Sequence, residues 1–307
     1  MSIWDYRRNF AYDEPLDPGD ERHVALNDAR GDYNSGRLLR ELGVDVASRT
    51  LRNRPVGKCI VFGGHRGCGK STELRAIAAE LQGSERFFVV SIDALQALDI
   101  NNLSYADVAL ALAEALAERV AAAGIEVPQV YLTPLQEWSR QVSHQISRSS
   151  SVDGALESGA EAKTGLPLVG SLFARLTTAI RSNSTWKTEI REQVRNSFSD
   201  LARRFNQLLS FVEDELGRQG RARALIFVVD GTDRLRGDEA DAFFICDIHQ
   251  LRQLRADQCP QRAGAGRSKL RRHRPPADGQ AGGEGQRRSD RRFLAAPTRV
   301  RPPASAG

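Results

Sequence analysis

Cysteine is scarce. The 307-residue chain has four, at Cys59, Cys68, Cys246 and Cys259, and none lies in a CxxC spacing. A disulfide framework and a cysteine zinc site are not expected, and a reducing, cytoplasmic setting is. The five histidines, His23, His65, His144, His249 and His273, are scattered without metal-ligand spacing. No apolar run reaches the roughly 18 residues at which a membrane-spanning helix is suspected. Residues 166–180 (LPLVGSLFARLTTAI) come nearest, but they are few and carry Arg175, so they read as a packed hairpin or helix. The opening MSIWDYRRNF lacks an apolar core and a small-residue cleavage site, so no secretory leader is expected.

Charge is unevenly divided. The net charge is +5, yet residues 261–307 hold eleven Arg and one Lys against three acids, a balance of +9. Residues 1–260 therefore carry −4. The basicity belongs to the tail, so the overall pI is no argument that the body binds nucleic acid. The tail is also poor in large apolar residues, with only Leu270, Phe293, Leu294 and Val300 from Gln261 onward. Such a segment cannot bury enough surface to offset its ordering entropy, and residues 257–307 are expected to be disordered.

The rest divides into an extension over residues 1–56 and a domain over 57–256. A short helix is expected over 35–42, stopped by Gly43. Residues 58–62 (KCIVF) read as a buried strand, and 70–81 (KSTELRAIAAEL) as a helix whose face carries Leu74, Ile77, Ala78 and Leu81. Residues 86–93 (RFFVVSID) read as a second strand, completing a βαβ unit. Residues 94–222 are expected to form a largely helical insertion. Within it, Ser104 and Asp107 predict a capping box for an alanine-rich helix ending at Gly124. Residues 141–165 are Ser- and Gly-rich and read as a loop. Trp186, Ile190, Val194, Phe198, Leu201, Phe205, Leu208 and Val212 recur at helical spacing and predict one long amphipathic helix. Residues 224–230 (ALIFVVD) read as the third strand, and a helix is expected over about 238–255.

Between the first strand and the first long helix stands Gly64-His65-Arg66-Gly67-Cys68-Gly69-Lys70-Ser71, followed by Thr72. It fits the phosphate-loop pattern GxxxxGK[ST], with an apolar run before it and a helix after it. Glycines let successive backbone N–H groups turn toward phosphate oxygens, and the helix entrance adds its dipole. Lys70 is placed to reach the β- and γ-phosphates, and Ser71 offers a hydroxyl to Mg²⁺. Residues 64–72 are the candidate nucleotide contacts. His65 is a variable loop position. Cys68 is either a small filler or a thiol whose thiolate the helix entrance favours. Asp230, an acid at the exit of a buried strand, suits a Walker B role in holding Mg²⁺. Asp233 either polarises an attacking water or caps the following turn.

GGHRGCGKSTEL and VVDGTDRL together resemble the Walker A and Walker B segments of P-loop ATPases of the AAA-like and signal-transducing (STAND) groups, including bacterial KAP- and NACHT-like proteins. The resemblance covers about residues 20–255. It implies an α/β P-loop core with a parallel sheet, ATP and Mg²⁺ as ligands, and Lys70, Asp230 and Asp233 as catalytic residues. It also implies a switch that changes its self-assembly or its effector partner, in bacteria often in anti-phage defence or signalling. Gly231 stands where many relatives have a glutamate, which leaves Asp233 as the resemblance's candidate acid. Relatives continue with two more core strands, a sensor residue and an arginine finger. Here no apolar strand-like run follows about residue 256, so the tail reads as truncated or frame-disrupted sequence, the alternative being a native basic tail that contacts nucleic acid through its arginine pairs. Other readings of the domain are a P-loop kinase, an initiator- or loader-type ATPase on nucleic acid, and an inactive fragment.

Overall fold

The computed structural model describes residues 14–23, 35–55, 58–65, 67–149, 164–182, 186–232, 235 and 240–255. Residues 257–307, Arg66 and Asp233 lie outside that set, and so do the expectations that fall on them.

Helix α1 spans Ser35–Glu41 and α2 spans Lys70–Leu81. Strand β1 is Phe87–Asp93, followed by the short α3, Ala94–Ala97. Among the described residues, five helices then precede the second strand: α4 (Tyr105–Ala122), α5 (Gln129–Ser149), α6 (Leu166–Arg181), α7 (Lys187–Asn196) and α8 (Phe198–Arg218). Strand β2, Ala224–Asp230, pairs with β1 in parallel, with Phe87 opposite Ala224 and Asp93 opposite Asp230. Among the described residues the sheet has these two strands, and the chain is mixed α/β.

Side chains alternate across a strand, and both faces of this sheet are covered. Phe88, Val90, Ile92 and Leu225 enter a large core with the helices between β1 and β2. Phe87, Val89 and Ala224 enter a smaller one with Ile77 and Leu81 of α2 and Leu39 of α1. The face carrying odd positions of β1 and even positions of β2 therefore faces α2. This assignment decides which strand-end side chains reach the loop that opens α2.

The capping box at α4 is present: the Ser104 hydroxyl accepts from Ala106 N, and Asp107 Oδ2 accepts from Ser104 N at 3.0 Å. Asp107 does more than cap. Arg191 of α7 donates through Nε to its Oδ1 at 2.9 Å, ion-pairs with Oδ2 through Nη2, and reaches Asn102 Oδ1 at 2.8 Å. The Asp107 side chain is 1% exposed. Burial pushes its carboxyl above the ordinary range, and Arg191 pulls it back. Arg191→Met is expected to cost about 3–5 kcal/mol, since it strands a buried carboxylate. An acid whose folded pKa exceeds its unfolded value is stabilising below the unfolded pKa and loses that contribution as pH rises through the folded one. The loss should therefore be smaller at acid pH, where Asp107 takes up a proton. Urea denaturation at two pH values checks this, and a cost below about 1 kcal/mol would place the pair among ordinary surface ion pairs.

Four sequence expectations need correction. Residues 141–149 are helical, as the end of α5, because Leu135, Trp138, Val142 and Ile146 form a buried stripe that outweighs the local serines. The long helix over 186–212 is two helices, broken at Ser197. There the hydroxyl donates to Gln193 O at 2.8 Å and accepts from Trp138 Nε1 at 3.1 Å. After β2, the helix expected over 238–255 is irregular, with a π-helical stretch Ala242–Asp247, a short α-helix Ile248–Leu251 (α9) and a 3₁₀ turn Arg252–Arg255. The fourth matters most for the site: residues 58–62 form no strand. Ile60 and Val61 are 42% and 55% exposed. A groove of about 450 Å³ is lined both by this segment, through Ile60 and Phe62, and by β2, through Ile226 and Val228.

Candidate functional site

The phosphate-loop pattern is folded as a loop that opens a helix. Gly69 is the N-cap of α2 at φ 80°, and Gly67 has φ 79°. Both lie in the left-handed region, where a side chain is strained and glycine is not. Cys68 N donates to His65 O at 3.3 Å and Glu73 N to Gly69 O at 3.0 Å, closing the loop onto the helix. Lys70 Nζ donates to the carbonyl oxygens of Gly64 at 3.0 Å and His65 at 2.8 Å. The ammonium is thus tied back onto carbonyl oxygens of its own loop.

Ser71 Oγ donates to Asp230 Oδ1 at 2.9 Å, although the two residues are 159 positions apart. The same oxygen accepts from Gly231 N at 2.8 Å. Two sequence motifs, read separately, therefore meet at one point. A hydroxyl and a carboxylate at hydrogen-bond distance are the hard oxygen donors that Mg²⁺ takes. Among the described residues no group of three or more His, Cys, Asp and Glu forms a metal cage.

Thr72 is engaged from the N-terminal side of the chain. Its hydroxyl oxygen accepts from Leu16 N at 3.1 Å, while Arg75 Nη1 donates to Pro15 O at 3.1 Å and Asp17 Oδ1 at 2.8 Å. Residues 15–17 are clipped to the first turns of α2, a contact that no local sequence signal announced. Cys59, Cys68 and Cys246 are free thiols on exposed residues. Asp93 belongs to no motif, yet its segment has the same pattern as that of Asp230. RFFVVSID and ALIFVVD are both apolar strands ending in aspartate, and the register sets the two acids opposite each other.

The groove beside β2 runs up to this site, with Gly64, Lys70 and Asp230 also on its wall. Its other lining is largely apolar, including Leu74, Phe243 and Phe244. Only its polar end suits a phosphate chain. No helix among the described residues is long and apolar enough to cross a membrane.

Comparison with protein-family models, with curated proteins and with solved structures finds no match to this chain. The functional reading therefore rests on the site's own geometry.

Proposed function

We propose that the chain binds ATP with Mg²⁺ at residues 64–72 and serves as a nucleotide-dependent switch. The observation that carries this reading is the hydrogen bond from Ser71 to Asp230, which joins the phosphate-loop helix to the acid at the end of β2. A glycine turn with no ligand has no need of a lysine folded over its carbonyls and a serine tied to a strand-end carboxylate.

Each residue has a task. Backbone N–H groups of the loop and the first turn of α2 orient phosphate oxygens. Lys70 neutralises charge at the β- and γ-phosphates. Ser71 and Asp230 hold the cation, which when bound neutralises charge on the phosphate oxygens. Residues 15–17, fastened to Thr72 and Arg75, give the N-terminal extension a direct connection to the same helix. Occupancy of the loop can thereby be passed to a partner protein or to a second copy of the chain. Asp233, carried over from the family resemblance, keeps its two alternative roles in this proposal.

Asp230→Asn tests the reading. The amide keeps an oxygen for Ser71 and removes the charge. ATP affinity in Mg²⁺ is expected to fall by about tenfold or more, with affinity in EDTA little changed. Calorimetry in both buffers measures the two values. An equal fall in both would make Asp230 a structural residue.

A further inference from the structure

We infer that Asp93, at the end of β1, is the second carboxylate of the proposed magnesium–nucleotide site, sharing the cation with Asp230 and Ser71. The inference rests on the nucleotide reading above and extends it to a residue on a different strand.

Three observations carry it. The first is placement. Asp93 and Asp230 are opposite each other in a parallel pair, so their Cα atoms are neighbours across the sheet. The alternation that sends Phe87 and Val89 toward α2 on β1, and Ala224 on β2, also puts both acids on the α2 side. Asp230 is already tied to Ser71 there.

The second is the fit at position 231, immediately after Asp230. Gly231 has φ 81°, and a Cβ there would lie 2.9 Å from Leu95 Cγ and 3.3 Å from Asp93 Oδ1. A side chain at this position would be strained by the backbone and would press on Leu95 and on the Asp93 carboxylate. The Asp93 carboxylate thus lies against the backbone turn that directly follows Asp230. That carboxylate is fixed: Oδ1 accepts from Leu95 N at 3.0 Å as the cap of α3, which leaves Oδ2 without a hydrogen bond among the described residues.

The third is charge. Like charges directly opposite on neighbouring strands repel. Neither Asp93 nor Asp230 forms an ion pair with a lysine or arginine among the described residues. A divalent cation set between two carboxylates on neighbouring strands, one of them bound to a hydroxyl at the mouth of a phosphate loop, would relieve that repulsion. A divalent ion carried by a nucleoside triphosphate meets that need, and its hydration shell is large enough to be shared by acids from two strands.

The test uses the full chain and ATP titrations by calorimetry, with Mg²⁺ and with EDTA. Asp93→Asn keeps an oxygen to cap Leu95 N and removes the charge. Asp93→Ser, another good capping residue, serves if the amide variant does not fold. Asp214→Asn, an exposed acid on α8, is the control. Asp93→Asn should weaken ATP binding in Mg²⁺ by about 10- to 100-fold, leave binding in EDTA unchanged or stronger, and differ from the control in this respect. A purely structural Asp93 would move both affinities together, and that result overturns the inference. Magnesium-dependent binding retained in both Asp93 variants, with the unmodified chain binding normally, also overturns it while sparing the nucleotide reading. An unmodified chain that binds no ATP in either buffer overturns both.

Discussion

Lys70→Ala is expected to weaken ATP binding by at least about tenfold, or 1.4 kcal/mol. The ammonium donates to the carbonyls of Gly64 and His65, so its charge already sits at the loop proposed to take the phosphates. Alanine leaves those carbonyls facing the phosphates with no cation between them. The variant should still fold, because alanine is the best helix former and position 70 is the first residue of α2. The change in affinity can then be assigned to the lost charge. Calorimetry on the full chain provides the measurement. An unaltered Kd would remove the phosphate loop from the binding site and leave the glycine turn as a turn.

Turnover is expected to be slow even where binding is tight. Stabilising a transferring phosphoryl group takes donors held in place before the reaction begins. The proposed site has Lys70, Ser71, Asp230 and Asp93, but the segment leading into its loop does not belong to the sheet. Residues 58–62 form no strand, and among the described residues the sheet has only β1 and β2. On the outer edge of β2, Leu225 N donates to Glu213 Oε1 at 2.7 Å. Beyond that point the edge faces the groove, and residues 226–230 are only partly buried. An open edge beside an apolar groove also favours association between chains. Phosphate release by the full chain, beside the Lys70→Ala control, measures the outcome. Turnover of about 1 s⁻¹ or more, lost in the control, would show that the loop is held well enough for catalysis and that the groove is closed in the working protein.

The elements that could be read in advance are those whose cause is local. α2 begins at Lys70 and ends at Leu81, where a glycine entrance and a run of good helix formers predict it. The capping box at Ser104 and Asp107 needs only four neighbouring residues. β1 and β2 are apolar runs with few alternatives. Where the reading erred, a distant contact outweighed a local preference. The serines of 141–149 suggested a loop, but the stripe from Leu135 to Ile146 is buried against other helices. The apolar periodicity of 186–212 runs straight through Ser197, whose contact with Trp138 of α5 lies at the break between α7 and α8.

The candidate site divides along the same line. Its phosphate loop is a short sequence signature, because glycine at left-handed positions, a lysine and a hydroxyl must be close in the chain to surround one phosphate group. That much was written in residues 64–72. Asp230 could be nominated as a strand-end acid, but its bond to Ser71 depends on how α2 packs on the sheet. Asp93 acquires its meaning from strand register alone, since nothing in RFFVVSID says which strand will lie beside it. The opposite holds for 58–62, which has the composition of a strand and joins no sheet among the described residues. Short-range sterics and periodicity act within a few residues and leave their mark in the sequence. Pairing between strands more than 130 positions apart is chosen by the packed structure as a whole, and it alone decided which acids stand together and which strand was left unformed.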